Sequence, residues 1–154
     1  MKIEEKQLLL RDLCARLPYR VIIHTNYKDI KLDKKHCSIS VLYYENYSEE
    51  AKKNCGYNVD DFCIIISGCY YGDDIKPYLR SLDDMTEEEV KEFYTVENIT
   101  PQVGYIHPTQ DWHFTIYGID WLNANHFDYR GLIEKGLAIR VTDGNPYKEY
   151  DTRR

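Results

Sequence analysis

The sequence predicts an α+β fold: a single domain with a mainly antiparallel sheet, an N-terminal helix and short C-terminal helices. Three observations carry this. β-Branched and aromatic runs recur between polar turns at residues 20–26, 36–44 and 62–71. The stretch before them has helical spacing and stops at Pro18. Capping residues then mark helix starts after residue 85. With 154 residues, 30% charged and 43% apolar, the chain has the size and composition of one globular domain. The domain is assigned to residues 1–142 and a mobile tail to 143–154, where Gly144 and Pro146 break the pattern.

Taken in order, Leu10, Leu13, Cys14 and Leu17 predict a helix over residues 3–16. Residues 20–26 read as a strand, followed by a polar turn with a short extension at 30–32. Alternation over 36–44 puts Cys37, Ile39, Val41 and Tyr43 on one face of a second strand. Residues 45–61 are polar and read as a long turn or irregular helix. The most apolar stretch, 62–71, is the expected central strand, with Gly68 marking a bulge or close backbone approach. Thr86-Glu87-Glu88-Glu89 has the form of a capping box and predicts a helix over 87–94.

Residues 101–108 read as a loop. Between 110 and 119, Trp112, Phe114 and Ile116 alternate with His113, Thr115 and Tyr117, which predicts a strand. Asp120 is expected to cap a short helix over 121–125, and Asp128 another over 129–135 closed by Gly136. A last strand is expected over 137–141.

Two segments carry a resemblance. Ile75-Lys76-Pro77-Tyr78-Leu79-Arg80-Ser81-Leu82, followed by Met85-Thr86-Glu87-Glu88-Glu89, is similar to an IKPYLRPMSSMTEEE stretch. Asp120-Trp121-Leu122-Asn123, followed by His126-Phe127-Asp128-Tyr129-Arg130-Gly131-Leu132-Ile133, is similar to a DWLN…HFDYRGLI stretch. Together they resemble a family of uncharacterised small proteins from gut Bacteroidetes genomes and their phages. Ser81 and Asp83-Asp84 depart from its Pro and Ser-Ser. The resemblance implies a bacterial or phage-associated cytoplasmic protein and brings no activity with it. Physically, the first segment reads as strand exit, proline turn and capped helix. The second reads as two short helices with Asp caps.

Composition excludes several classes. Most of the net charge of −6 sits in residues 83–92, where Asp83, Asp84, Glu87, Glu88, Glu89 and Glu92 face Lys91 alone. An acidic chain without a basic stripe is poorly suited to gripping phosphate backbones, so nucleic acid is not an expected partner. The N-terminal residues are studded with charge and the longest apolar run is far too short to span a bilayer, so no membrane partner is expected. Five cysteines without a C-x-x-C pair fit reduced thiols in a cytoplasmic protein.

Candidate chemistry is thin. His107, Asp111 and His113 are the metal candidates, with His126 as a fourth donor, because a strand would point Asp111 and His113 to one side. A solvated strand face is the competing reading. His36 beside Cys37 offers a thiol and a base, but strand neighbours point to opposite faces. Cys63 and Cys69 fall in the apolar run and read as core thiols. His126, Tyr129 and Arg130 form a polar set suited to a small anionic ligand, against a plain helix cap with a paired arginine. No cofactor-binding motif is present, and no cofactor is expected. Tyrosine is abundant, 15 residues, and Tyr43, Tyr44, Tyr70, Tyr71 and Tyr117 could present rigid contact area on a sheet. The expected function is therefore a non-enzymatic binding or regulatory protein with a protein partner, encoded by a phage or mobile element and acting on a host protein. The alternative is a small metal-assisted hydrolase using His107, Asp111 and His113.

Overall fold

Three leucines in a row at 8–10 leave the inward face of the first helix open to competition. In a computed structural model of the protein, helix α1 (Ile3–Arg16) buries Lys6, Leu9, Asp12, Leu13 and Arg16. Cys14, expected on the inward face, is exposed. Buried charges must be paired. Arg16 donates to both Asp12 carboxylate oxygens at 2.7 and 3.0 Å, and the Lys6 ammonium donates to the Phe62 carbonyl at 3.2 Å. Pro18 falls in the short 3₁₀ turn Leu17–Tyr19 that ends the helix.

The structure describes residues 1–32, 39–43, 48–50, 62–66, 70–71, 75–142 and 147. The chain divides into two compact units, Met1–Lys76 and Pro77–Arg154. The fold is α+β, with a helix at the N-terminus, mainly antiparallel strand pairs and short helices.

In the first unit, β1 (Ile22–His24) and β2 (Asp29–Lys31) form an antiparallel hairpin with Ile23 opposite Ile30. The Thr25 hydroxyl closes the turn, donating to the Lys28 carbonyl at 2.7 Å and accepting the Tyr27 and Lys28 amides. A second sheet runs β3 (Ile39–Tyr43), β4 (Phe62–Ile66), β5 (Tyr70–Tyr71), with β4 in the middle. Phe62, Ile64 and Ile66 are buried and Cys63 and Ile65 half-buried, the period of two that a central strand shows. The expected single strand over 62–71 is instead two, because Ile66 pairs back on Tyr70. Gly68, Cys69, Cys37 and His36 lie outside the described residues, as do Tyr44 and most of 45–61.

In the second unit, β6 (Lys76–Leu79) runs parallel to β7 (Ile139–Arg140), Tyr78 opposite Ile139 and Leu79 opposite Arg140. Pro77 lies inside β6, not in a turn after it. Backbone pairing continues past the strand: the Arg80 amide donates to the His126 carbonyl and the Asp128 amide to the Arg80 carbonyl, both at 2.8 Å. Ser81 caps the 3₁₀ turn Leu82–Asp84 by accepting the Asp83 amide. Helix α2 (Glu87–Val96) starts at the predicted capping box: Thr86 Oγ1 accepts the Glu89 amide at 3.2 Å and Glu89 accepts the Thr86 amide at 2.9 Å.

The strand predicted over 110–119 does not form. Thr115 Oγ1 accepts the Gly118 amide at 3.2 Å and starts helix α3 (Ile116–Ala124). A threonine hydroxyl available as an N-cap outweighs a short alternating pattern. The alternation was real in one respect: Trp112 and Phe114 pack, from a loop, against the core cluster that contains Leu82, Met85, Val90, Phe93, Leu122 and Phe127. Asp120 lies within α3, whose N-cap is Thr115. Residues 129–135 form turns, not a helix, although Asp128 does satisfy amides, those of Leu132 and Ile133 at 3.0 and 2.8 Å. Gly136 (φ 70°) ends that turn in the left-handed region. Of the predicted tail only Tyr147 is described; it is buried and donates to the Tyr78 carbonyl at 2.9 Å. Among the described residues no helix is long and apolar enough to cross a membrane.

Candidate functional site

Ionic pairs frame the front of the second unit. Arg80 meets Glu89 as a fork, Nη1 to Oε1 and Nη2 to Oε2, both at 2.8 Å. Its guanidinium also lies 4.2 Å from the centre of the Phe127 ring. Burial raises the Glu89 carboxyl, but hydrogen bonds from Arg80 and Thr86 outweigh it and hold the group below its ordinary value. Arg140 binds Asp84 through Nε at 3.0 Å and Nη2 at 2.6 Å. That hydrogen bonding lowers the Asp84 carboxyl and raises Arg140.

Beside these pairs lies a cleft of about 520 Å³. Its walls include Leu82 and Pro108, and its charged lining is Asp83, Asp111, Asp128, Glu134 and Arg140. Among the described residues four acidic residues and one arginine therefore line it, and Asp84 already engages the arginine. Asp128 is buried and spends both oxygens on backbone amides, whereas Asp83, Asp111 and Glu134 are exposed. Among the described residues the lining includes the hydroxyl-bearing Ser81 and Thr109 and no histidine or cysteine.

The residues singled out from the sequence scatter around this cleft. Asp111 lines it. The His107 ring sits with Nδ1 3.0 Å from the Leu82 carbonyl oxygen, and His113 is exposed. Without the strand, Asp111 and His113 lose the shared face on which the metal reading rested. Among the described residues no three His, Cys, Asp or Glu are grouped to hold a metal ion. His126 is buried, with its ring stacked on Tyr147 at 3.6 Å and its backbone at φ 61°. Tyr129 is buried against Phe114, and the Arg130 guanidinium lies 4.4 Å from the Tyr129 ring centre. None of His126, Tyr129 and Arg130 is among the residues lining the cleft.

A second feature was not anticipated. The loop from 98 to 114 carries large apolar side chains outward: Val103 is 98% exposed and Ile106 63%. Where α3 begins, Ile116 and Tyr117 are 76% and 73% exposed. The loop is nonetheless tied down. At its base the Thr115 amide and hydroxyl donate to the Glu97 carboxylate at 2.8–3.1 Å. Midway, the Tyr94 hydroxyl donates to the Ile106 carbonyl at 3.1 Å and accepts the Ile106 amide at 3.3 Å. Tyr105 packs edge-on to Tyr94, and His107 anchors the next residue. Of the tyrosines expected to present contact area, Tyr117 is exposed at the start of α3 and Tyr43 is half exposed on β3. The sequence does contain a signal, the apolar residues Ile99, Val103 and Ile106 in a stretch that Pro101 and Pro108 keep from forming a helix.

No protein-family model, curated protein or solved structure matches the chain.

Proposed function

We propose that the chain is a non-enzymatic binding protein and that its contact surface is the ridge formed by Val103, Tyr105 and Ile106 with Ile116 and Tyr117. One observation carries the reading: these side chains face solvent from a backbone held at both its base and its middle. Large apolar groups held outward by specific hydrogen bonds gain nothing for folding, and exposed apolar patches mark interaction sites. Aromatic and aliphatic anchors on rigid backbone are the usual centre of a protein–protein contact. The partner is accordingly a protein, and the resemblance to phage-associated chains makes a host protein the first to seek.

The test is site-specific photo-crosslinking in the cells that express the chain. A photoreactive residue at Val103 and one at Tyr117 should capture the same polypeptide. The same probe at Tyr27, exposed on the β1–β2 turn, should not. Val103→Asp should abolish capture from the Tyr117 position. Capture of unrelated proteins from the two ridge positions, or equal capture from Tyr27, would overturn the reading.

A further inference from the structure

The apolar ridge does not end at Ile106. Two residues on, Pro108 enters the wall of the acidic cleft, and Asp111 follows on the same loop. Two residues of extended chain span at most about 7 Å, so the backbone at Ile106 lies within that distance of the cleft wall. The His107 contact with the Leu82 carbonyl fixes this junction. Resting on the binding-protein reading above, we infer that the partner is a basic protein. Its docking segment seats apolar side chains on Val103 and Ile106 and a neighbouring lysine or arginine in the cleft.

Charge complementarity carries the assignment. Asp83, Asp111 and Glu134 are exposed acidic residues that line a concave site, where fields of one sign focus and raise the local concentration of opposite charge. The buried Asp128 adds a fourth negative charge, and Arg140 is neutralised by Asp84. A cleft of about 520 Å³ has room for a long cationic side chain with its water. The same bias extends over the unit. Residues 77–154 carry fourteen acidic and eight basic residues, whereas 1–76 carry twelve of each. A second copy of the chain would thus bring like charge to the ridge, which disfavours it as the occupant.

The test uses the full chain and synthetic peptides of one leucine pattern, carrying lysine, glutamine or glutamate between the leucines. Binding is read from the backbone amide resonances of residues 99–111. The lysine peptide should shift these resonances, and the glutamate peptide should bind at least about tenfold more weakly. The double variant Asp111→Asn with Glu134→Gln should weaken the lysine peptide by about tenfold while leaving the glutamine peptide unchanged. Equal affinity for the three peptides, no shift with any of them, or no effect of the double variant would overturn the inference. Concentration-dependent self-association through the same resonances would overturn it too. If Val103→Asp abolishes photo-crosslinking while the double variant leaves it intact, the binding surface stands and its basic partner falls. If neither ridge position crosslinks to a common partner, the binding reading itself falls.

Discussion

The Glu97 carboxylate receives three hydrogen bonds from Thr115, and it occupies the space where Gly118 would carry a β-carbon. Glycine early in a helix costs about 1 kcal/mol relative to alanine, so a conformational argument alone would favour Gly118→Ala. Here the steric term decides the sign. The methyl group would collide with Glu97 Oε1 and force the carboxylate off Thr115. We expect Gly118→Ala to destabilise the protein by about 1–3 kcal/mol in chemical denaturation. Stabilisation would show that the carboxylate moves without penalty. Little of this was legible in the sequence, because Glu97 and Thr115 are distant in the chain and nothing local announces their pairing. Asp128 was more legible. An aspartate ahead of a polar stretch promised bonds to following amides, and it makes them, although four and five residues on and to a turn instead of a helix.

At the scale of elements, local chemistry was read best where a single device sets the boundary. The Thr86–Glu89 box predicted α2, and Pro18 the end of α1, because each acts within one turn of chain. The run 62–71 misled because apolarity alone cannot say where a strand folds back, and Ile66 pairs with Tyr70. Alternation over 110–119 misled because Trp112 and Phe114 reach the core from a loop. The capping box also does more than start a helix, since Glu89 binds Arg80 as well. This makes a prediction about acid. Glu89 and Asp84 are held below their ordinary values of 4.5 and 3.8. A carboxylate whose folded-state value is depressed contributes stability above its unfolded value, and loses it as pH falls through the folded one. Asp84 is about a third exposed, so solvent screens its share and Glu89 carries more of the effect. The denaturation midpoint should therefore fall as pH drops below about 4.5, and Glu89→Gln should flatten that decline. An unchanged slope in the variant would show that Arg80 does not stabilise the charged form.

For the molecule as a whole, the α+β class was legible from strand runs and caps. The candidate site was legible only in fragments. Asp111 lines the cleft, while His126 and Tyr129 serve packing and His107 meets a carbonyl oxygen. A cleft is assembled from segments as distant as Ser81 and Arg140, and no spacing rule relates them. The acidic cluster was seen, but the division of charge was not: the first 76 residues balance and the remainder holds the entire −6. That division has a kinetic consequence. The basic partner inferred above would feel a torque toward the acidic residues of 77–154 before any atom touches, so that productive collisions outnumber random ones. Added salt shortens the reach of that torque to about 10 Å at 0.1 M and about 3 Å at 1 M. The association rate should fall steeply over this range while the dissociation rate, governed by the desolvated ridge, changes little. Stopped-flow measurement of both rates separates the two; equal salt dependence in each would mean that charge holds the complex together without guiding its formation.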